Sequence, residues 1–229
     1  MAILYIVATP IGNLEDVTKR ALRILSEVDL ILCEDTRVTK KLLERYRIET
    51  PTLSYHQHSK LKKVEEIARF LREGKQLALV SDAGTPGVSD PGNKLVQEVV
   101  NAFGHQVQII PVPGPSAALA AASISGVPMD KFLFLGFPPV KKKRKSFFEE
   151  ILASKYPVIF YESTYRIVKT LKEIHEEAER CGAVLSVVVC RELTKKFETV
   201  YRGEIGKITR EMEKGEIRGE FVVVLWREK

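Results

Sequence analysis

Leu77-Ala78-Leu79-Val80, followed by Ser81-Asp82-Ala83-Gly84-Thr85-Pro86-Gly87-Val88-Ser89-Asp90-Pro91-Gly92, decides how this chain folds. The four apolar residues read as a buried strand, and a helical pattern resumes after Gly92. Between them stand three glycines, two prolines and two aspartates. Glycine permits a positive φ and close backbone approach, whereas proline fixes φ and removes a donor. A plain turn needs one or two such residues. A loop this rich, at the carboxyl end of a strand, is where open α/β sheets bind small molecules. We therefore read Ser81–Gly92 as one wall of a ligand site.

The chain on either side repeats the strand–loop–helix pattern. Ile3–Val7 reads as a buried first strand. It leads into Ala8-Thr9-Pro10-Ile11-Gly12-Asn13 and a helix from about Asp16, with Val17, Ala21, Ile24, Leu25 and Val28 on one face. Neither G-x-G-x-x-G nor G-x-x-x-x-G-K-[ST] occurs here, so a nucleotide-phosphate cradle is disfavoured. Leu30–Cys33 ends in Glu34-Asp35-Thr36-Arg37. That cluster suits either catalysis or the cap of a helix over Thr36–Tyr46, and the local sequence favours the cap. Thr52–Tyr55 runs into His56-Gln57-His58-Ser59, with Ser59 placed to cap the next helix. Two His at i, i+2 lack a third ligand at suitable spacing, so no metal site is expected.

Val107–Ile110 leads to Pro111-Val112-Pro113-Gly114-Pro115-Ser116, a second Pro/Gly-rich loop. The run Ala117–Ala122 that follows suits a helix packed very close to a sheet or ligand. Phe132–Gly136, Pro157–Tyr161, Leu185–Cys190, Phe197–Arg202 and Phe221–Trp226 read as further strands, with Ser163 expected to cap the helix after Tyr161. Strands alternate with helices early and pair late. The reading is thus α/β throughout, with a parallel-sheet domain over 1–113, a mixed one over 114–229, and a hinge near Pro111–Ser116.

Composition narrows the function classes. The chain has 229 residues and a net charge of +6, and Lys141-Lys142-Lys143-Arg144-Lys145 alone carries five positive charges. This run is either a solvated loop or, beside Phe137 and Phe147, an arm that contacts phosphates. Cys33, Cys181 and Cys190 show no metal-ligand spacing and no C-x-x-C pair, which suits a reducing compartment. No stretch has the length of a membrane span, and Met1–Ala8 lacks the basic start of a signal peptide. A cytoplasmic protein without a membrane partner is expected. Abundant charge with few Asn, Gln, Cys and Met resembles a thermophile's composition.

The motifs also carry a resemblance as an ordered set. Thr9-Pro10-Ile11-Gly12-Asn13-Leu14, Glu34-Asp35-Thr36-Arg37, His56-x-His58 and Ser81–Gly92 come first. Pro113-Gly114-Pro115, Phe160-Tyr161-Glu162-Ser163, Arg191-Glu192-Leu193-Thr194-Lys195 and Gly219-Glu220 follow. From about Ile3 to Trp226 this set resembles the ribosomal RNA small subunit methyltransferase I family of the tetrapyrrole methylase superfamily. The resemblance implies two α/β domains with S-adenosylmethionine in the cleft between them, and usually a homodimer. It implies methyl transfer to the ribose 2′-oxygen of a cytidine in the decoding region of 16S rRNA, free or within the small ribosomal subunit. Carried over by position, the cofactor would meet Pro10, Ile11, Asp82, Gly84, Thr85, Val88, Ser116 and Ala117. Tyr161, Leu193 and the start of a strand at Gly219-Glu220 would complete the pocket. The family usually has Asn-Glu after the second His, where this chain has Ser59-Lys60.

Methyl transfer from a sulfonium needs in-line approach, and positioning alone supplies up to about 7–11 kcal/mol. A ribose hydroxyl also gains from a general base, typically by about 10²–10⁴-fold. Asp35, His56, His58 and Asp82 are the titratable candidates at strand ends. Asp35, Arg37 and His58 are the expected catalytic group, with Arg37 orienting a phosphate or the ribose. Lys141, Lys142, Lys143, Arg144 and Lys145 are the expected RNA contacts. Two rivals remain: a methylase of a tetrapyrrole or another small molecule, and an RNA-binding protein without catalysis. A corrin does not require a cationic arm. The second rival leaves the two Pro/Gly loops unexplained.

Overall fold

Strand and helix alternate through the first half of the chain because each short apolar run is followed by a segment with helical apolar spacing. A computed structural model describes residues 1–56, 61–215 and 217–228. Two compact units divide between Ser116 and Ala117. The first holds β1 (Ala2–Val7), α1 (Lys19–Glu27), β2 (Leu30–Cys33), α2 (Thr36–Arg45), β3 (Thr52–Ser54), α3 (Leu61–Arg72), β4 (Gln76–Leu79), α4 (Asn93–Phe103) and β5 (Val107–Val112). The second holds α5 (Ala117–Ile124), β6 (Leu133–Phe134), α6 (Arg144–Ala153), β7 (Val158–Ser163) and α7 (Ile167–Arg180). It continues with β8 (Leu185–Arg191), β9 (Thr199–Glu204), α8 (Ile205–Glu213) and β10 (Glu220–Arg227).

In the first unit the sheet order is β3-β2-β4-β1-β5, and every pair is parallel. Alternation along β4 shows why both faces are covered. Leu77 and Leu79 join Leu4, Leu32, Ile67, Leu71, Leu95 and Val99, which packs α3 and α4 on one face. Ala78 and Val80 join Val7, Ile31, Ala21, Leu25, Leu42 and Leu43, which packs α1 and α2 on the other. Sheets buried on both faces read as continuous apolar runs, as these strands do. Parallel pairing also sends the carboxyl end of every strand to one edge. All the strand-end loops therefore emerge together.

The second unit is mixed, in the order β6-β7-β10-β8-β9, with β6 parallel to β7 and the other pairs antiparallel. One face packs Phe160, Val187, Val189, Phe221 and Val223 against α6, α7 and α8. The alanine-rich α5 packs on β7 and β10, and its Ala118, Ala121 and Ala122 are buried. Small side chains let that helix lie close to the sheet, which is the packing its sequence suggested.

Several boundaries differ from the sequence reading, each for a local reason. Leu14–Asp16 is a single 3₁₀ turn, and α1 starts three residues later. The cause is Thr18, whose hydroxyl accepts the Ala21 N–H at 3.0 Å and caps the helix there. Ser163 ends β7 and does not cap α7, since its N–H and hydroxyl both donate to Glu162. The strand expected at Phe132–Gly136 is only Leu133–Phe134, and that expected at Phe197–Arg202 starts at Thr199. The expected cap at Ser59 lies outside the described residues.

The tight seat of α5 has a measurable consequence. Ala121→Leu adds three carbons at a fully buried position. Overpacking of this kind costs about 1–3 kcal/mol. Urea unfolding should show that loss, whereas Leu119→Ala on the exposed side of α5 should leave the midpoint almost unchanged.

Candidate functional site

At the carboxyl edge of the parallel sheet, hydrogen bonds stitch the loops into one surface. After β1, Ala8 N–H donates to Val112 O at 3.2 Å, which joins the loop after β1 to the end of β5. Thr9 and Gly84 exchange backbone bonds in both directions, at 2.9 and 3.0 Å. The buried Thr9 hydroxyl donates to Ser81 O at 3.2 Å, and the Thr85 hydroxyl donates to Pro115 O at 3.2 Å. Gly84 holds φ +79°, and a Cβ there would lie 3.5 Å from Ile11 Cγ2. That backbone conformation favours glycine. Pro10, Ile11, Gly84, Thr85 and Pro115, the residue before Ser116, thus come together in one unit. Val88 is exposed on the same loop.

The end of β2 joins this surface through a side chain. Asp82 Oδ1 accepts the backbone N–H of Asp35 at 2.9 Å. Asp35 is the N-cap of α2, as the local sequence favoured; its Oδ1 accepts the Arg37 N–H at 2.8 Å. Its carboxylate also takes two guanidinium donors from Arg37, at distances down to 2.6 Å. These bonds to Arg37 hold the Asp35 carboxyl well below the usual range, at about 2. A carboxylate so weakly basic is a poor proton acceptor at neutral pH. Arg37 itself is widely exposed.

Glu34, one residue earlier, has the opposite character. Partial burial pushes its carboxyl upward, Asp82 and Asp35 add to the rise, and His56 opposes it. The Ser54 hydroxyl lies 2.9 Å from His56 Nε2 and donates to Glu34 O at 3.3 Å. The sequence reading passed over Glu34 in favour of its neighbour. The available signal was its place directly after a buried strand. His58 lies outside the described residues.

In the second unit, a short turn organises the expected residues. Leu193 is buried between Glu192 and Thr194, both at positive φ. Glu192 N–H donates to Glu220 O, and Glu220 N–H donates to Glu192 Oε1, each at 2.9 Å. Lys195 Nζ bridges Glu192 and Glu220 at 2.9 and 2.8 Å. Burial works against the Glu192 charge, yet the Glu220 amide and Lys195 hold its carboxyl below the ordinary value. Gly219 sits at φ +104°, where any Cβ would collide with the Glu192 side chain. Among the described residues, Thr194 Oγ1 is the buried side-chain polar atom without a hydrogen-bond partner. Tyr161 lies on β7, with its ring 5.1 Å from Phe134 and 5.4 Å from Phe137. Ala117 opens α5.

The basic run is not uniform. Lys141, Lys142, Lys143 and Lys145 are exposed, whereas Arg144 has 12% of its side chain exposed and reaches inward. It donates to Glu173 Oε2 at 2.7 Å, Pro139 O at 3.0 Å and Thr170 Oγ1 at 2.8 Å. No group of three or more His, Cys, Asp or Glu among the described residues is arranged to hold a metal ion.

Comparison with known proteins agrees with this architecture. The family model for Tetrapyrrole (Corrin/Porphyrin) Methylases matches residues 3–209. The chain belongs to this family. A Thermotoga maritima protein named ribosomal RNA small subunit methyltransferase I is 43% identical over 226 residues, 98% of each chain. A Bacillus subtilis protein of the same name is 44% identical, over 98% of this chain and 75% of that one. Among solved structures, the cobalamin biosynthetic enzyme cobalt precorrin-4 methyltransferase superposes with a TM-score of 0.70. It is 20% identical and is matched over 97% of this chain and 94% of that one. Uroporphyrin-III-C-methyltransferase from Thermus thermophilus gives 0.65 at 18% identity, over 97% and 93%. At those identities the likeness is one of fold.

In this methylase the Asp35–Arg37 pair gives a direct test. A carboxylate depressed in the folded state stabilises that state above its unfolded value near 3.8, and the contribution is lost as pH falls through about 2. NMR titration of the Asp35 carboxyl carbon should show a midpoint near 2, and Arg37→Ala should raise it toward 3.8. An unchanged midpoint would show that Arg37 is not its cause.

Proposed function

We propose that this chain methylates the ribose 2′-oxygen of a cytidine in 16S rRNA, with S-adenosylmethionine as donor. The observation that carries this reading is the strand-end surface, where stitched Gly/Pro loops meet Glu34, Asp35 and Asp82. The names of its relatives supply the rRNA substrate.

The residues present suit the cofactor's chemistry. S-adenosylmethionine, when bound, supplies an electrophilic methyl on a positively charged sulfonium. Asp35 is offset by Arg37, and the carboxylates of Glu34 and Asp82 at the same sheet edge favour a cation there. Ile11 and Val88 offer apolar surface for an adenine, and Gly84 and Thr85 set the loop's shape. By the resemblance we assign Ser116 of the first unit, and Ala117, Tyr161, Leu193 and Glu220 of the second, to the same ligand. The unpartnered Thr194 hydroxyl, beside Leu193, would find a polar partner in it. Asp82 serves first as a tie between loops, through its bond to the Asp35 amide.

For the reaction, the chain must orient a ribose hydroxyl and accept its proton. We assign proton acceptance to Glu34, whose partial burial raises its basicity, with His58 as the second candidate. Asp35 fixes Arg37, and the exposed guanidinium orients a phosphate or the ribose. Lys141, Lys142, Lys143 and Lys145 contact phosphates, while Arg144 serves the loop's structure. A homodimer in the cytoplasm belongs to the same proposal. Among the described residues, no helix is long and apolar enough to cross a membrane.

The decisive test uses methyl-labelled S-adenosylmethionine and small ribosomal subunits lacking the modification. Label should appear on the ribose of one 16S cytidine; label on a base, or none, would overturn the reading. Glu34→Gln should lower turnover by about 10²–10⁴-fold with cofactor affinity kept. Full turnover in that variant would remove Glu34 from the mechanism.

A further inference from the structure

A buried carboxylate in the second unit holds two exposed loops in fixed positions. Glu162, with a fully buried side chain, pairs with Arg166 at 2.8 Å and accepts from the Thr170 hydroxyl at 2.7 Å. Arg166 then donates to Pro138 O at 3.0 Å. Arg144 binds Thr170 and Pro139 O, so the second arginine holds the same loop at the adjacent carbonyl. Such networks are worth most when every member is satisfied, and they impose one arrangement on what they hold.

What they hold here is aromatic and cationic. Tyr165, next to Arg166, is 96% exposed; Phe137, next to Pro138, is 51% exposed; and Val140 is 71% exposed. Lys141, Lys142 and Lys143 follow directly, with Lys145 beyond them. Exposed apolar side chains scattered singly need no explanation. Here two rings sit on clamped loops that Arg166 joins, beside four exposed lysines, of which Lys145 also pairs with Glu149 at 3.9 Å. An unpaired nucleic-acid strand needs this combination: aromatic faces for its bases and cations for its backbone.

We propose that Phe137 and Tyr165 form a stacking platform for unpaired RNA bases, with Lys141, Lys142, Lys143 and Lys145 on the adjoining phosphates. Glu162, Arg144 and Arg166 position it and do not touch the RNA. The assignment rests on the rRNA reading above and deepens it. An unpaired strand is also the form in which RNA is most readily read by side chains. Charge complementarity selects this occupant over a second copy of the chain, whose own net charge is +6.

The test measures anisotropy of a short unpaired RNA oligonucleotide, and of an abasic one of equal length, across a salt series. The combined Phe137→Ala and Tyr165→Ala variant should bind the ordinary RNA at least about 30-fold more weakly. Its affinity for the abasic RNA and its salt slope should not change, and Tyr165→Phe should bind like the wild type. Neutralising Lys141, Lys142 and Lys143 should flatten the log–log salt slope by about 2 on both RNAs. Unchanged binding in the aromatic variant, or equal loss on both RNAs, would overturn the platform. So would loss that follows a shift from dimer to monomer in sedimentation, because the face would then be a self-contact. Methyl transfer to subunits by the wild type is measured alongside. Its absence would sink the rRNA reading, whereas transfer with unaltered binding by the variants would sink only the platform.

Discussion

Parallel strand pairing is the constraint from which the first unit's chemistry follows. Each strand of the β3-β2-β4-β1-β5 sheet runs the same way, so each must be reached by a helical crossover and each must end at the same edge. The apolar alternation in Leu77–Val80 places helices on both faces and leaves the edge as the open side. Loops that are far apart in sequence become neighbours there with no further instruction. The Thr9–Gly84 and Thr85–Pro115 bonds convert that proximity into a defined surface.

Charges are handled differently in the two units. At the sheet edge of the first, Asp35 is spent on a cap and on Arg37, while Glu34 keeps its proton more readily because it is partly desolvated. In the second, Glu162 is buried outright and survives because Arg166, Thr170 and Ser163 satisfy it. Burying a carboxylate without such partners would cost several kcal/mol. The same functional group thus serves as cap, as raised carboxyl and as organising centre, according to what surrounds it.

Local grammar made much of this legible. The strand and helix order, the mixed second sheet, the close packing of Ala117–Ile124 and the Asp35 cap all follow from spacing within a few residues. The boundary at Ser163 was misread because its cap-like hydroxyl is claimed by Glu162, the residue before it. Arg144 stood in a run of lysines and looked like one more surface cation. Its partners at Thr170 and Glu173 are 26 and 29 residues away. The bond between Asp82 and the Asp35 amide spans 47 residues, and sequence spacing carries no trace of it. Glu34 was overlooked because desolvation depends on tertiary neighbours, not on the motif.

That bond from Asp82 has a consequence for how the site can change over time. Its donor is a main-chain amide, which every residue except proline possesses. The loop carrying Gly84 and Thr85 is therefore fastened to the end of β2 in a way that is indifferent to the side chain at position 35. Residues 34–37 can be exchanged for others suited to a different acceptor while the tie stays whole. Such a joint separates the durable part of the molecule from the part that selection can rewrite.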